Sequence, residues 1–229
     1  MIARGLSLAL VTGLVLTASP AQAAQAAQAA PRVDCARVKC LALTFDDGPG
    51  PRTPELLRVL KREKAKATFF VTGKYAERRP KVLRQTLADG HAVGNHGYSH
   101  QSMPSLLREN IVSELRDTSR LIPGGTRMFR PPYGHTDERV RELAGQEGMA
   151  EILWTGTTID WSLRDAAKIR SAVLRLAKRD GILLLHDTVP QTVEAMPGIV
   201  RELKKRGYRL VTVPELYGSE KLWPGRQYP

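Results

Sequence analysis

The chain has 229 residues, 42% of them hydrophobic, which is enough for one large domain with a buried core and too short for several such domains. Its 35 lysines and arginines outnumber 23 acidic residues, giving a formal net charge of +12. This charge suits attraction to anionic wall polymers or acidic glycans. The basic residues are spread along predicted helices with no arginine-rich tail, so we expect no nucleic-acid partner.

The first 23 residues predict a secretory signal peptide. Arg4 supplies the positive charge, residues 6–17 form a short apolar run, and Ala21 and Ala23 are placed as at a cleavage site. A membrane anchor is the alternative, but the run is shorter than the roughly 20 residues that cross a bilayer. We therefore expect a secreted, extracellular monomer, associated with the cell wall through its charge and without a stable membrane anchor.

An N-terminal arm, residues 24–40, follows the predicted signal peptide and begins with an Ala-Gln repeat that offers later cleavage sites up to residue 30. The arm contains both cysteines of the chain, Cys35 and Cys40. Outside the cell, this pair predicts a disulfide, whose small loop places its stabilisation at the low end of ~2–4 kcal/mol. We expect the main domain to span residues 41–217, with a C-terminal tail at 218–229.

Short β-rich runs then alternate with helical patterns. Predicted strands lie at residues 41–45, 67–71, 91–94, 128–130, 150–154, 182–186 and 208–213. Predicted helices begin at Thr53, which can cap the first one, and then span 75–88, 105–121, 137–147, 165–179 and 194–206. This order implies an α/β fold with a parallel sheet.

The size of the domain distinguishes two parallel-sheet architectures. A complete eight-stranded barrel usually needs about 250 residues, so about seven strands favour a distorted, incomplete (β/α) barrel. An open doubly wound sheet is the rival, but no strand is followed by a glycine-rich phosphate loop.

Reactive side chains follow five of the predicted strands. In a parallel barrel the carboxyl ends of the strands share one face, where active sites are built. The residues at these ends are Asp46, Asp47, Asn95, His96, His100, Arg130, Tyr133, Asp160, Trp161, His186 and Asp187.

His96 and His100 form an H-x-x-x-H pattern, which on a helical turn places both imidazoles on one side. With a carboxylate they make a common metal-ligand set, although such a pair is more often structural or on the surface. The pattern differs from the H-E-x-x-H of zinc proteases, because Gly97 stands where the general base is required. A base must then come from elsewhere, and the aspartates after the first strand are available.

The remaining candidates each have two interpretations. His186 is either a buried structural histidine or a proton donor, and Arg130 is either a loop residue or the group that orients an aspartate. Trp161 and Leu184 belong either to the core or to a small apolar pocket. Four further residues are predicted to be structural or exposed: His91, His135, Trp154 in the core and Trp223 in the tail.

Five motifs occur in the order that is typical of the polysaccharide deacetylases with a NodB-homology domain, carbohydrate esterase family 4, and the chain resembles this family over roughly residues 41–213. The motifs are TFDDGP at 44–49, HGYSH at 96–100, RPPYG at 130–134, DW at 160–161 and LLH at 184–186.

The resemblance implies a distorted barrel and a role for each matching residue. It assigns Asp46 as the catalytic base, oriented by Arg130, and His186 as the general acid, tuned by Asp160. It implies a divalent metal, most often Zn²⁺, with Co²⁺, Mn²⁺ or Ni²⁺ as alternatives. The implied metal ligands are Asp47, His96 and His100; the backbone N–H of Tyr133 contacts the oxyanion; and Trp161 and Leu184 wall the acetyl pocket.

Two positions depart from the family pattern. Gly97 replaces a Ser or Thr whose hydroxyl braces the loop of the second motif, and Thr157 replaces an aspartate three residues before Asp160. We expect the first departure to affect the rigidity of the histidine pair and the second to weaken the charges around His186.

The function implied is hydrolysis of N-acetyl groups on a polysaccharide that contains N-acetylglucosamine, either peptidoglycan or chitin oligosaccharide. The nearest alternative is an O-acetyl esterase acting on xylan, which would use the same residues. A non-catalytic glycan-binding module and a glycosidase are more remote, because the full reactive set argues against the first and a glycosidase does not require the histidine pair.

Overall fold

The computed structural model describes residues 33–218 and 221–229. The predicted signal peptide and residues 24–32 of the arm lie outside the described residues. The predicted pairing of Cys35 with Cys40 is confirmed as a disulfide. It joins the arm to the first strand, because Cys40 is the second residue of that strand.

Within the described residues, nine parallel strands form one sheet. They are β1 (Lys39–Gly48), β2 (Thr68–Val71), β3 (Ala92–Asn95), β4 (Met128–Phe129), β5 (Ala150–Ile152), β6 (Gly156–Thr157), β7 (Gly181–His186), β8 (Tyr208–Val211) and β9 (Gln227–Tyr228). Their order is β6-β7-β1-β2-β3-β4-β5-β9, and β8 also pairs with β1.

This sheet confirms the predicted distorted, incomplete barrel. Each of the seven predicted strands corresponds to an observed one, and the two additional strands, β6 and β9, have two residues each. Strands this short carry too few residues for an alternating pattern to stand out in the sequence. One of them, β9, adds the last residues of the chain to the sheet beside β5.

Nine helices cover the sheet within the described residues. They are α1 (Thr53–Arg62), α2 (Gly73–Arg78), α3 (Pro80–Ala88), α4 (Arg108–Leu121), α5 (Glu138–Gln146), α6 (Asp160–Leu163), α7 (Ala166–Leu176), α8 (Pro190–Lys205) and α9 (Val213–Tyr217). None of the helices in this part of the chain is both long enough and apolar enough to pass through a bilayer.

Several details of the predicted helices differ from the structure. The helix predicted at 75–88 is two helices, because Pro80 disfavours a helical conformation at Arg79, which adopts φ −132°. Helix α8 begins at Pro190 rather than at residue 194, since a proline fits the first helical turn. Thr53 does not cap α1; its hydroxyl instead accepts from the Gly50 N–H and donates to the Asp187 carboxylate.

The two faces of the sheet bury different layers. On β1, Leu41, Leu43 and Phe45 point outward into the large core beneath α1, α7 and α8. Ala42 points inward with Phe70 of β2 into a second, smaller core. Because side chains alternate along a strand, the residues that follow Ala42 on the inner face are Thr44 and Asp46.

The same progression from apolar to reactive residues recurs on neighbouring strands. On β7 the inner-face series is Ile182, Leu184 and His186, and in the parallel register His186 lies directly beside Asp46. On β4 the apolar Met128 is followed two residues later by Arg130. The interior is therefore apolar at one end and carries reactive groups at the carboxyl ends of the strands.

Candidate active site

Asp46 and Asp47 are separated by a bulge at the end of β1. The pairing with β2 runs from Asp46↔Phe70 directly to Gly48↔Val71, so Asp47 is an extra residue on the β1 side. Asp47 also has φ 70°, a left-handed conformation. Bulges of this kind re-aim side chains. Adjacent carboxylates thus reach the same cavity, where a regular strand would place them on opposite faces.

Asp47, His96 and His100 come together, but residues 96–100 form a loop and not the helical turn expected from the H-x-x-x-H spacing, because Gly97 and His100 both have positive φ. Asp47 Oδ1 lies 3.0 Å from His100 Nε2 and 3.4 Å from His96 Nε2. One ligand atom from each of the three residues lies within 4.8 Å of the others. The Asp47 Oδ1 atom is buried without a hydrogen-bond partner. An unpartnered carboxylate oxygen beside two imidazole nitrogens fits a divalent cation with nitrogen and oxygen ligands.

The imidazole of His96 is fixed from behind. Its Nδ1–H donates to the backbone carbonyl of Arg130 at 2.7 Å. A carbonyl only accepts, so this contact leaves the lone pair on Nε2, facing Asp47. An outer hydrogen bond of this type sets the tautomer and orientation of metal-ligating histidines.

Arg130 is completely buried and holds Asp46. Its Nη1 donates to Asp46 Oδ1 at 2.8 Å and to the Thr44 hydroxyl at 2.7 Å. Its guanidinium lies over the ring of Phe70, with 4.0 Å between Cζ and the ring centroid. With Oδ1 engaged, the other oxygen of Asp46 faces the metal triad, 3.7 Å from His96 Nε2.

Two further N–H groups of the guanidinium donate to backbone carbonyls. Nε donates to Ile152 O at 2.9 Å, and Nη2 donates to Leu153 O at 2.7 Å, both at the end of β5. Burial lowers the pKa of Arg130, and the charge of Asp46 opposes that shift. A guanidinium held in place by four hydrogen bonds gives Asp46 a fixed counter-charge.

His186, at the end of β7, and the buried Asp160 of α6 form a second pair in the site. The Nδ1 atom of His186 donates to Asp160 Oδ1 at 2.8 Å, and Asp160 Oδ2 accepts from the His186 backbone N–H and the Thr192 hydroxyl. Burial lowers the pKa of His186, but the hydrogen bond and charge of Asp160 outweigh it and raise the pKa to about 9. His186 Nε2 faces the cavity, 4.0 Å from Asp47 Oδ2.

These groups surround a cavity of about 470 Å³. Tyr133 and Trp161 are more than half exposed at its rim, whereas Leu184 lies buried in its wall. Tyr133 has φ 62°, and its ring meets that of His100 edge to face at 4.6 Å. The predicted pocket residues therefore lie in one cavity, with Arg130 and Asp160 buried behind it.

The cavity also contains residues that the sequence pattern did not indicate. Trp154, predicted to be core, lines it and packs on Gly134, where a Cβ would lie 2.7 Å from the indole. Ile159, in a left-handed conformation, and Thr157 complete the wall. Trp154 follows β5, so its place at the carboxyl end of a strand was the signal that could have identified it.

The loop that carries the two histidines is braced despite Gly97. The Glu114 carboxylate of α4 accepts from the backbone N–H groups of Tyr98 and Ser99, each at 2.7 Å, and from the Ser99 hydroxyl. The Gly97 N–H donates to the Asn95 side chain at 2.8 Å. Gly97 has φ 72°, which disfavours any side chain. The Glu114 carboxylate thus holds the loop in place of the hydroxyl that Gly97 lacks.

The loop after β1 is hydrogen-bonded to a further buried carboxylate. Asp187 Oδ2 accepts from the Thr53 hydroxyl and, at 3.4 Å, from the Gly50 N–H. A Cβ at Gly48 would collide with this carboxylate. Burial raises the pKa of Asp187 to about 6, while the hydrogen bond from Thr53 acts in the opposite direction.

Comparison with known proteins identifies the family. Residues 34–152 match the family model described as polysaccharide deacetylase. The chain is 37% identical over 195 residues to the peptidoglycan-N-acetylglucosamine deacetylase PgdA of Listeria monocytogenes. The aligned region covers 83% of this chain and 41% of the relative. The chain therefore spans about two fifths of the length of that relative.

Two further similarities cover nearly the whole of the known protein. A chitooligosaccharide deacetylase of Sinorhizobium fredii is 34% identical over 192 residues, covering 76% of this chain and 89% of the relative. A solved structure, a T48 deacetylase with substrate, superposes with a TM-score of 0.82 at 36% identity, covering 86% of this chain and 100% of the other. The chain belongs to the polysaccharide deacetylase family.

Proposed function

We propose that this protein is a secreted, metal-dependent hydrolase that removes N-acetyl groups from polysaccharide containing N-acetylglucosamine, either peptidoglycan or chitin oligosaccharide, and releases acetate. One observation carries the proposal. A buried carboxylate and a protonated imidazole, Asp46 and His186, face the same cavity as the Asp47, His96 and His100 triad. Hydrolysis of an amide needs a base for water and an acid for the leaving nitrogen.

The triad would hold the cation through one Asp47 oxygen and the Nε2 atoms of His96 and His100. Zn²⁺ suits this mixed nitrogen and oxygen set, with Co²⁺, Mn²⁺ or Ni²⁺ as alternatives. When bound, such an ion polarises a carbonyl and lowers the pKa of water. This leaves the transfer of protons to the groups of the chain itself.

Asp46 takes the proton from the attacking water. Arg130 engages one oxygen of Asp46, so the second oxygen is free to act as the base. The carbon of the acetyl group gains the water oxygen, and its former carbonyl oxygen becomes negative. The backbone N–H of Tyr133 donates to that oxygen, a contact of the type whose loss costs about 10²–10³ in rate.

His186 completes the reaction by protonating the amide nitrogen as its bond to the acetyl carbon breaks. The products are acetate and a free amine on the sugar. Asp160 holds the His186 imidazole through Nδ1, which directs the proton on Nε2 into the cavity. The raised pKa keeps this proton in place near neutral pH.

Trp161 and Leu184 give the cavity the apolar wall that an acetyl methyl group requires. The proposal of export is supported by the Cys35–Cys40 disulfide, since such bonds persist in oxidising compartments. The net charge of +12 supports association with an anionic wall.

The test is acetate release by the zinc-loaded protein from three substrates: chitin oligomers, peptidoglycan and acetylxylan. Release from either of the first two supports the proposal, with Asp46→Asn as the inactive control. Release from acetylxylan alone would identify an O-acetyl esterase that uses the same residues. Release from none of them would overturn the proposal in favour of a glycan-binding module.

A further inference from the structure

A second cavity, of about 360 Å³, meets the first at the metal triad. The two cavities share Asp47 and His100. On the far side of these two residues the second cavity is lined chiefly by Thr72, Lys74, Tyr75, Arg78 and Tyr98. A polymer that reacts at the triad must continue past it, and this cavity provides a path.

The walls of the second cavity are basic. Lys74 and Arg78 both lie on α2 and are exposed. Over residues 33–218 and 221–229, neither side chain forms an ion pair. The nearest acid on the same helix, Glu77, accepts from the Tyr98 hydroxyl at 2.8 Å. Two cationic groups therefore face this cavity with their charges available to a ligand.

A buried polar atom in the same wall also lacks a protein partner. Thr72 is 3% exposed, and its hydroxyl oxygen has no hydrogen-bond partner among the described residues. Buried hydroxyls are normally bonded. The wall thus combines this hydroxyl with two cations and two tyrosine rings, the groups that bind a sugar carrying a negative substituent.

We infer that the second cavity binds a carboxylate carried by the sugar that flanks the reacting N-acetylated one. This inference rests on the proposed function. The first cavity has the apolar walls that suit an acetyl group, whereas Lys74 and Arg78 supply charge that a neutral glycan such as chitin would not use. The preferred substrate is then a glycan with free carboxylate substituents, such as a peptidoglycan strand whose lactyl groups carry no stem peptide.

The experiment compares two matched probes with the zinc-loaded protein. One is a tetrasaccharide that alternates N-acetylglucosamine with N-acetylmuramic acid bearing free lactyl carboxylates. The other has the same carboxylates converted to methyl amides, which removes the charge and preserves the shape. We expect kcat/KM to favour the charged probe by at least about threefold, given the usual size of exposed charge interactions, and the preference to shrink as salt rises.

Two double variants locate the effect. In Lys74→Gln/Arg78→Gln, the preference for the charged probe should disappear. In Lys81→Gln/Arg84→Gln, which removes the same charge from exposed positions of α3, it should persist. Loss of the preference in both variants would instead assign it to the overall charge of the protein and overturn the inference.

The remaining outcomes separate this inference from the proposed function. Equal hydrolysis of both probes by the unmodified protein would overturn the carboxylate site and leave the deacetylase activity standing. No acetate from either probe or from chitotetraose would overturn both. Binding of the two probes to the Asp46→Asn variant, measured by calorimetry, gives the same comparison without turnover.

Discussion

Arg130 Nη1 lies 2.8 Å from Asp46 Oδ1, and both side chains are buried. Breaking such a pair by removing one partner leaves an uncompensated charge and typically costs about 3–5 kcal/mol. We therefore expect Arg130→Met to lower the free energy of unfolding by this amount and to abolish acetate release. Urea unfolding measures the first effect, with the exposed Arg120→Met, paired to Asp117, as a control that should cost under about 1 kcal/mol.

Substitutions of Asp46 and of Asp47 should have different effects on the amount of zinc bound. Asp46→Asn keeps the triad intact, so the variant should retain zinc while acetate release falls by about 10²-fold or more. Asp47→Ala removes a ligand and should lose zinc itself. Zinc content after dialysis and acetate release, measured on both variants, distinguish the two roles. Wild-type activity in Asp46→Asn would contradict the assignment of Asp46 as the base.

The partnership of His186 with Asp160 predicts a pH dependence. The acid must carry its proton, so activity should fall as pH rises through the His186 pKa of about 9. Asp160→Asn removes the charge that raises this pKa, and the alkaline limb should move down by at least about one unit. Thr192→Val removes only a neutral hydrogen bond to Asp160 and should shift the limb less. If the alkaline limb of the pH–activity profile stays in place in Asp160→Asn, the assignment of His186 as the general acid is contradicted.

His91 should make the stability of the protein sensitive to acid. Burial lowers its pKa to about 4, so between about pH 4 and 6.5 the unfolded chain binds more protons than the folded one. Stability therefore rises with pH across this window, by up to about 3 kcal/mol. His91→Gln keeps an acceptor for the Ala67 N–H and should remove this part of the slope. The exposed His135→Gln should leave the slope as in the wild type.

Glu114 should control the affinity of the triad for zinc. Glu114→Ala releases the Tyr98 and Ser99 N–H groups, and losing such outer contacts typically weakens metal binding by about 10–100-fold. Gly97→Ser would restore the hydroxyl of the family pattern, but its φ of 72° predicts a cost of about 1 kcal/mol with no gain in affinity. Zinc titration of both variants checks this, and tighter binding by Gly97→Ser would contradict it.

The sequence was most informative where a pattern repeats. The alternation of strands and helices predicted a parallel sheet, and the reactive residues at the strand ends predicted that Asp47, His96 and His100 would meet. These arguments about the strand ends depend only on the two-residue period of a strand and on the shared direction of parallel strands, whereas the helical turn expected at residues 96–100 is a loop. They need no knowledge of which helix packs where.

Contacts between distant segments were not predictable in this way. Thr192 lies on α8 and reaches Asp160 only because the fold brings α8 beside α6, and Glu114 reaches the histidine loop only from α4. Trp154 could have been placed in the cavity by its position at a strand end, but a large aromatic residue is usually assigned to the core. Thr53 looked like a helix cap because its distant partner, Asp187, is invisible to local sequence rules.

The bulge at Asp47 has a consequence for protein engineering. A regular strand offers one face to a cavity, so two groups intended for the same cavity must be spaced two residues apart, about 7 Å along the chain. A single inserted residue removes that minimum distance. A designer who grafts Asp46 and Asp47 onto another barrel must therefore copy the insertion together with the two side chains, because an ideal strand would turn one carboxylate into the outer core.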